Sequence, residues 1–190
     1  MAQVESTSDE RTVNNTMRHP YRTLNQPEKA LEVLLALHKE GLTTLPVRER
    51  LARAAARTGS WAEATSMLEA LMKERAEASG RVEAARLCMA IWRGKVRQPE
   101  RALPAVEQLL KEAPDDPEAL ELVLQTEFDA ATRGRLLGRG KQVLVDRLQA
   151  DPCDVDRVSL LARIAAAQGD LSLRQAALGA LIALGKPDRG

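Results

Sequence analysis

Along most of this chain apolar residues recur every three or four positions, the period of a helix face rather than of a strand. The first run is PEKALEVLLALHKEG (27–41), with Pro27 in its first turn, Glu28 beside it, and Gly41 just past its end. Those are helix start and stop signals; Leu31, Leu34, Leu35 and Leu37 form its apolar side. LPVRERLARAAARTG (45–59) follows, carried on Leu51, Ala52, Ala55 and Ala56 and closed by Gly59. SWAEATSMLEALMKERAEA (60–78) opens with Ser60 and, three residues on, Glu63, the two members of a capping box, and buries Leu68, Leu71 and Met72. A fourth helix is expected over about 81–94, on Val82, Ala85, Cys88, Met89 and Trp92. Five more are expected over about 99–112, 117–127, 130–149, 154–167 and 171–184. Pro104 should kink the fifth or delay its start, because proline has no N–H and clashes with the preceding turn. Gly134, Gly138 and Gly140 should each weaken the seventh. Residues 1–26 are polar without an apolar period and are expected to form a disordered or loosely docked leader, with a helical domain over 27–186.

The helices repeat. LARAAARTG (51–59) and LARIAAAQG (161–169) are nearly one string, 110 residues apart, which is about three units of 36 or 37. Ala30 to Ala64 is 34 residues and Ala64 to Ala102 is 38, the longer step reading as a four-residue insertion near ERAEASGR. The junctions APDDPEAL and ADPCDVDRV match at an offset of 38. Periods of this size belong to stacked helix pairs, in which one pair cannot bury its own apolar face and several must stack.

The pattern resembles the tetratricopeptide repeat family. Leu51-Ala52-x2-Ala55, Gly59 and Ala64-x3-Leu68 carry the best match, Leu161-Ala162-x2-Ala165 with Gly169 the second, and Ala102-x3-Val106 with Pro114 the third. Arg48 and Val158 stand where the family has its leading aromatic, and Ala replaces its usual Tyr in both units. In the unit at 117–150 the second helix has no alanine in register, and in the last unit Arg174 falls where the alanine belongs. The resemblance implies an all-α fold: a right-handed superhelical array of antiparallel helix pairs, an α-solenoid of about four and a half pairs, with a concave groove lined by first helices. Carried onto this sequence, the groove would present Glu49, Arg53 and Arg57, then Leu87, Ile91 and Lys95, then Glu121 and Gln125, then Ser159 and Arg163. The family's basic clamp for a carboxylate-terminated peptide needs Lys, Asn and Arg in fixed places, and only scattered arginines match it.

Composition fits helices. Hydrophobic residues make up 44 % but aromatics only 2 %, so the core must be Leu, Ala, Val and Met, while strand formers are sparse. The net charge of +1 gives no electrostatic reason to expect nucleic acid or a membrane surface as partner. No segment reaches the roughly 18 to 20 apolar residues that cross a bilayer, and the first residues hold no apolar core of a signal peptide. Asn14-Asn15-Thr16 matches a glycosylation sequon with no secretion signal to give it meaning. Cys88 and Cys153 are the only cysteines and suit a reducing cytoplasm. Arg-rich, Ala-rich and Lys-poor usage points to a high-GC bacterial genome.

Little here reads as chemistry. His19 falls in the leader, and His38 sits near a helix C-terminus, where a cation favours the dipole. No His-x3-His or Cys-x2-Cys spacing offers a zinc site, and no cofactor is expected. GRLLGRGKQ (134–142) fails as a phosphate loop, with Arg135 where the first glycine belongs and Gln142 where Ser or Thr belongs. Arg133, Arg135, Arg139 and Lys141 form a basic cluster whose plain reading is a solvated face. Trp61 reads as packing between helices; Trp92 reads either as core or as an interface anchor. The expectation is therefore a non-catalytic scaffold that binds another protein, not an enzyme. The alternative is a regulatory or assembly subunit, or a piece of a longer array. The ninth helix, LSLRQAALGALIALG, lacks the polar outer face of a terminal repeat, so it docks back, self-associates or is followed by more protein.

Overall fold

The computed structural model describes residues 27–41 and 44–186; the expected leader and its His19 lie outside them. Nine α-helices follow one another among the described residues, with no strand: α1 (Pro27–Lys39), α2 (Leu45–Thr58), α3 (Trp61–Glu74), α4 (Ala78–Ala90), α5 (Leu103–Glu112), α6 (Pro117–Gln125), α7 (Ala130–Ala150), α8 (Val155–Ala167) and α9 (Leu171–Ala183). The described residues fall into two compact units divided between Leu68 and Glu69, inside α3.

In the first unit α1 packs on α2. Leu31 and Leu34 from α1 and Val47, Leu51, Ala52 and Ala55 from α2 are buried, the apolar stripe of an amphipathic helix facing its neighbour. The α2–α3 turn is built on Gly59 at φ +79°, a left-handed conformation that costs glycine nothing. Ser60 N–H donates to Ala55 O at 2.9 Å and Trp61 N–H to Gly59 O at 2.9 Å. A Cβ at Gly59 would lie 3.9 Å from Trp61 Cζ2, so the indole rests on the turn itself.

The last helix pair of the second unit, α8 and α9, is joined by the same turn. Gly169 has φ +71°, Asp170 N–H donates to Ala165 O at 2.9 Å, and Leu171 N–H to Gly169 O at 3.1 Å. Two strings that match in sequence thus fold alike. Within this unit α4 packs on α5, α6 on α7 and α8 on α9, while α6 also touches α5 and α8. Consecutive pairs therefore stack.

Aspartates set four of the starts. Asp116, Asp129, Asp154 and Asp170 accept from the backbone N–H of Ala119, Thr132, Arg157 and Leu173 at 3.0, 2.9, 3.0 and 3.1 Å. Each satisfies a donor that the helix itself leaves unpaired. Asp116 and Asp154 stand at the matching junctions 38 residues apart, so the offset marks a repeated cap.

Three local expectations resolve. Pro104 delays α5: Pro99–Ala102 form a 3-10 turn, and Pro104 then occupies the first turn of the α-helix, where its missing N–H has no partner to lose. The fourth helix ends earlier as an α-helix than its apolar period suggests; Ile91–Val96 widen into a π-helical stretch closed by Arg97 at φ +59°. In α7 the glycines do not break a 21-residue helix. Gly140 is buried, and a Cβ there would stand 2.5 Å from Leu120 Cδ2 and 3.2 Å from Pro114 O. It is the small residue of the 117–150 unit, in which no alanine stands in register. Ala64, Ala102, Gly140 and Ala177 follow at steps of 38, 38 and 37 residues, and all four are buried. In the last pair Arg174 is exposed, and Ala177 takes the inner place, packed with Val158, Ala162 and Leu181.

Gly140 and Gly134 give opposite expectations. Gly140→Ala should lower stability by about 1–3 kcal/mol, because overpacking against buried Leu120 outweighs the gain in helix propensity. Gly134 has open space around it, so Gly134→Ala should raise stability by about 0.5–1 kcal/mol. Urea unfolding of both variants checks the pair, and destabilisation by both would contradict this account.

Candidate interaction surface

The helix faces decide which expected surface residues can meet a partner. On α2 Arg53 and Arg57 are exposed and Glu49 is half-buried. On α4 Leu87 keeps 40 % of its surface exposed, a large apolar side chain facing water. Ile91 is only 4 % exposed, so its side chain belongs to the interior of the second unit rather than to an open groove. The π-helical stretch begins at Ile91 and shifts the register of the residues beyond it. Lys95, inside that stretch, is exposed.

Glu121, Gln125 and Arg163 come together. Both arms of the Arg163 guanidinium engage Glu121, Nη1 donating to Oε1 and Nη2 to Oε2, the latter at 2.8 Å. Gln125 Nε2 donates to Glu121 Oε2 at 3.2 Å. A two-armed pair of this kind is the strong form of a surface ion pair, and it ties α6 to α8. Ser159 is half-buried on α8.

Three of the four basic residues of the α7 cluster are engaged in the same way, and Arg139 is exposed. Arg133 donates to Leu124 O at 3.1 Å, Arg135 pairs with Glu107, and Lys141 reaches Asp170 at 3.4 Å. The carboxylates at the junction are also engaged: Asp115 pairs with Arg147 at 2.7 Å. Asp116, 4 % exposed, takes Arg86 at 2.6 Å while capping α6. Asp129 and Asp170 lie below the usual carboxylate range, held there first by the backbone N–H groups of Thr132 and Leu173. Sequence reasoning missed Arg50, which is exposed on α2 seven residues before Arg57. Its signal was the i, i+3, i+7 spacing of Arg50, Arg53 and Arg57.

Trp92 resolves as core. It is 9 % exposed, and the Arg101 guanidinium lies over its ring at 5.5 Å, a cation–π contact. Cys88, one helical turn earlier, is 1 % exposed. Burial pushes its thiol up to about 12, the Glu69 carboxylate adds to the rise, and the Trp92 indole opposes it. Cys153 is free and exposed. Among the described residues no group of three His, Cys, Asp or Glu side chains could hold a metal ion, and no helix is long and apolar enough to cross a membrane.

Fold and surface together define an all-helical protein of packed helix pairs. No family model matches the chain, and no curated protein matches it. Among solved structures it is similar to a chain described as MamA RS-1 ArsTM double mutant, at 20 % identity over 93 % of each chain with a TM-score of 0.47. It is also similar to MamA 41-end from Desulfovibrio magneticus RS-1, at 19 % identity over 93 % of this chain and 94 % of that one, with a TM-score of 0.44.

The two thiols should report separately. The thiolate is the reactive form, and burial suppresses it at Cys88. A thiol reagent at pH 8 should therefore label Cys153 quickly and Cys88 only after urea unfolding. Equal rates at both in the native protein would show that the Cys88 region opens freely.

Proposed function

We propose that this chain is a non-catalytic scaffold that binds another protein through the exposed faces of its helices, within the tetratricopeptide-like scheme that its sequence resembles. One observation carries the reading. Polar side chains of the second unit largely cap helices or join them, as with Asp116, Glu121 and Arg163, while large apolar side chains stay in water. Val33 and Leu87 are 42 % and 40 % exposed on their helices. Burying such surface against a partner is favourable, by about 25 cal/mol per Å², and solvated apolar side chains of this size supply interface anchors more readily than they supply catalysis. A cytoplasmic, bacterial setting fits the two unpaired cysteines and the Arg-rich, Ala-rich, Lys-poor composition.

The test is affinity capture with the full chain as bait, followed by identification of what it retains. A discrete protein should be recovered by the wild type and lost with Leu87→Glu, a substitution on an exposed helix face that leaves the core untouched. Recovery of nothing specific, or equal recovery by both baits, would sink the reading.

A second reading, assembly through self-association, is favoured by α9. Leu171 and Ile182 are 67 % and 68 % exposed there, and Arg174 is the only charged residue between 171 and 185. Sedimentation velocity over a concentration series should then show mass-dependent association that Ile182→Glu abolishes. A monomer at every concentration removes this reading and leaves the first intact.

A further inference from the structure

We propose that the solvent face of α2 is a docking strip for an acidic α-helix of a partner protein. This deepens the scaffold reading and rests on it. The strip follows from the helix period. At about 100° per residue, Arg50, Arg53 and Arg57 fall within roughly 60° of arc, on the side away from the buried Leu51, Ala52 and Ala55. All three arginines are exposed, and among the described residues none of them has a hydrogen-bond or ion-pair partner. Arg135, Arg147, Arg157 and Arg163 are neutralised within the fold by Glu107, Asp115, Asp154 and Glu121, while Arg93, Arg139 and Arg174 are exposed singly on other elements, so α2 is where unpaired arginines line up on one face. The strip is a line of positive charge, on a chain whose net charge is only +1; Glu49, one turn before Arg53, is half-buried and engaged in an interaction of its own.

The spacing selects the occupant. The three Cα positions rise by about 4.5 Å and then about 6 Å along the helix axis. A second helix laid alongside presents carboxylates at i, i+3 and i+7 with the same rises. An extended segment puts same-face residues about 6.7 Å apart at even steps, so its carboxylates drift out of register. Arginine is suited to such contacts, because its planar fork meets a carboxylate through two parallel hydrogen bonds. A free C-terminal carboxylate plays no part in this recognition.

The probe is a pair of fluorescent helical peptides on an Ala/Gln background, acetylated and amidated, read by anisotropy with the full chain. One carries Glu at i, i+3 and i+7; the other carries three Glu spread around the helix. The matched peptide should bind at least about tenfold more tightly, and its affinity should fall steeply as salt rises from about 0.05 to about 0.5 M. The R50E/R53E/R57E variant should lose it and instead bind a matched Lys peptide. Circular dichroism melting verifies that this variant folds; if it does not, the exposed single substitution Arg53→Gln should still weaken the matched peptide severalfold. Equal affinity for the two glutamate peptides, no binding of either, or an unaffected variant overturns the proposal. In affinity capture, a partner that the triple variant retains but Leu87→Glu loses overturns this proposal while sustaining the scaffold; loss of both with a dispersed peptide bound equally well overturns it too.

Discussion

Close approach between helices is the constraint on which the second unit depends. At Gly140 a methylene would stand 2.5 Å from Leu120 and 3.2 Å from the carbonyl of Pro114, so α7 lies against α6 and the preceding turn as near as a bare backbone allows. Ala102, buried completely, and Ala177, packed against Val158 and Ala162, stand in the same sequence progression. Small residues at the contact leave the larger ones to fill the space beside it. Leu109, Leu120, Leu137 and Leu144 are each no more than 1 % exposed. Aromatic rings would force the pairs apart, and the chain has few. Its low aromatic content and its close-packed helices are therefore one property seen twice.

That packing determines where polar groups can go. Helix ends that meet in short turns leave backbone N–H groups unpaired, and aspartates at 116, 129, 154 and 170 satisfy them. Asp116 does two jobs in a nearly buried position, accepting from Ala119 N–H and from Arg86. Removing one partner from such a site costs more than the hydrogen bond was worth, since the other group is left unsatisfied. Structural duty of this kind accounts for the acidic junctions without any appeal to catalysis.

The sequence made the turns legible because their information is local. The string LARAAARTG and its near-copy LARIAAAQG each encode a small-residue helix ending in a left-handed glycine, and both fold with the same hydrogen bond from the residue after glycine to an alanine carbonyl. Pro104 was legible for the same reason. Gly140 was not: its meaning lies in Leu120 and Pro114, 20 and 26 residues earlier, and a mid-helix glycine read alone signals only lost propensity. Ile91, four residues after exposed Leu87, is buried because it faces the interior of the second unit, a property of long-range packing that repeat register does not carry. The contact of Glu121 with Arg163 spans 42 residues; the resemblance put both on first-helix faces but could not say that they neutralise each other.

This neutralisation separates the expected surface into two kinds. Glu121, Gln125 and Arg163 form a closed set whose charges are already satisfied by one another. A partner meeting them would have to break a two-armed ion pair and desolvate both groups before gaining anything, and the balance of such exchanges is near zero. Arg53 and Arg57 present no such barrier, and Leu87 gains simply by leaving water. A map drawn from repeat register alone gives all of these positions equal weight. The structure ranks them by what each must give up, and that ranking moves attention from the α6–α8 junction to the outer face of α2 and the exposed apolar residue of α4.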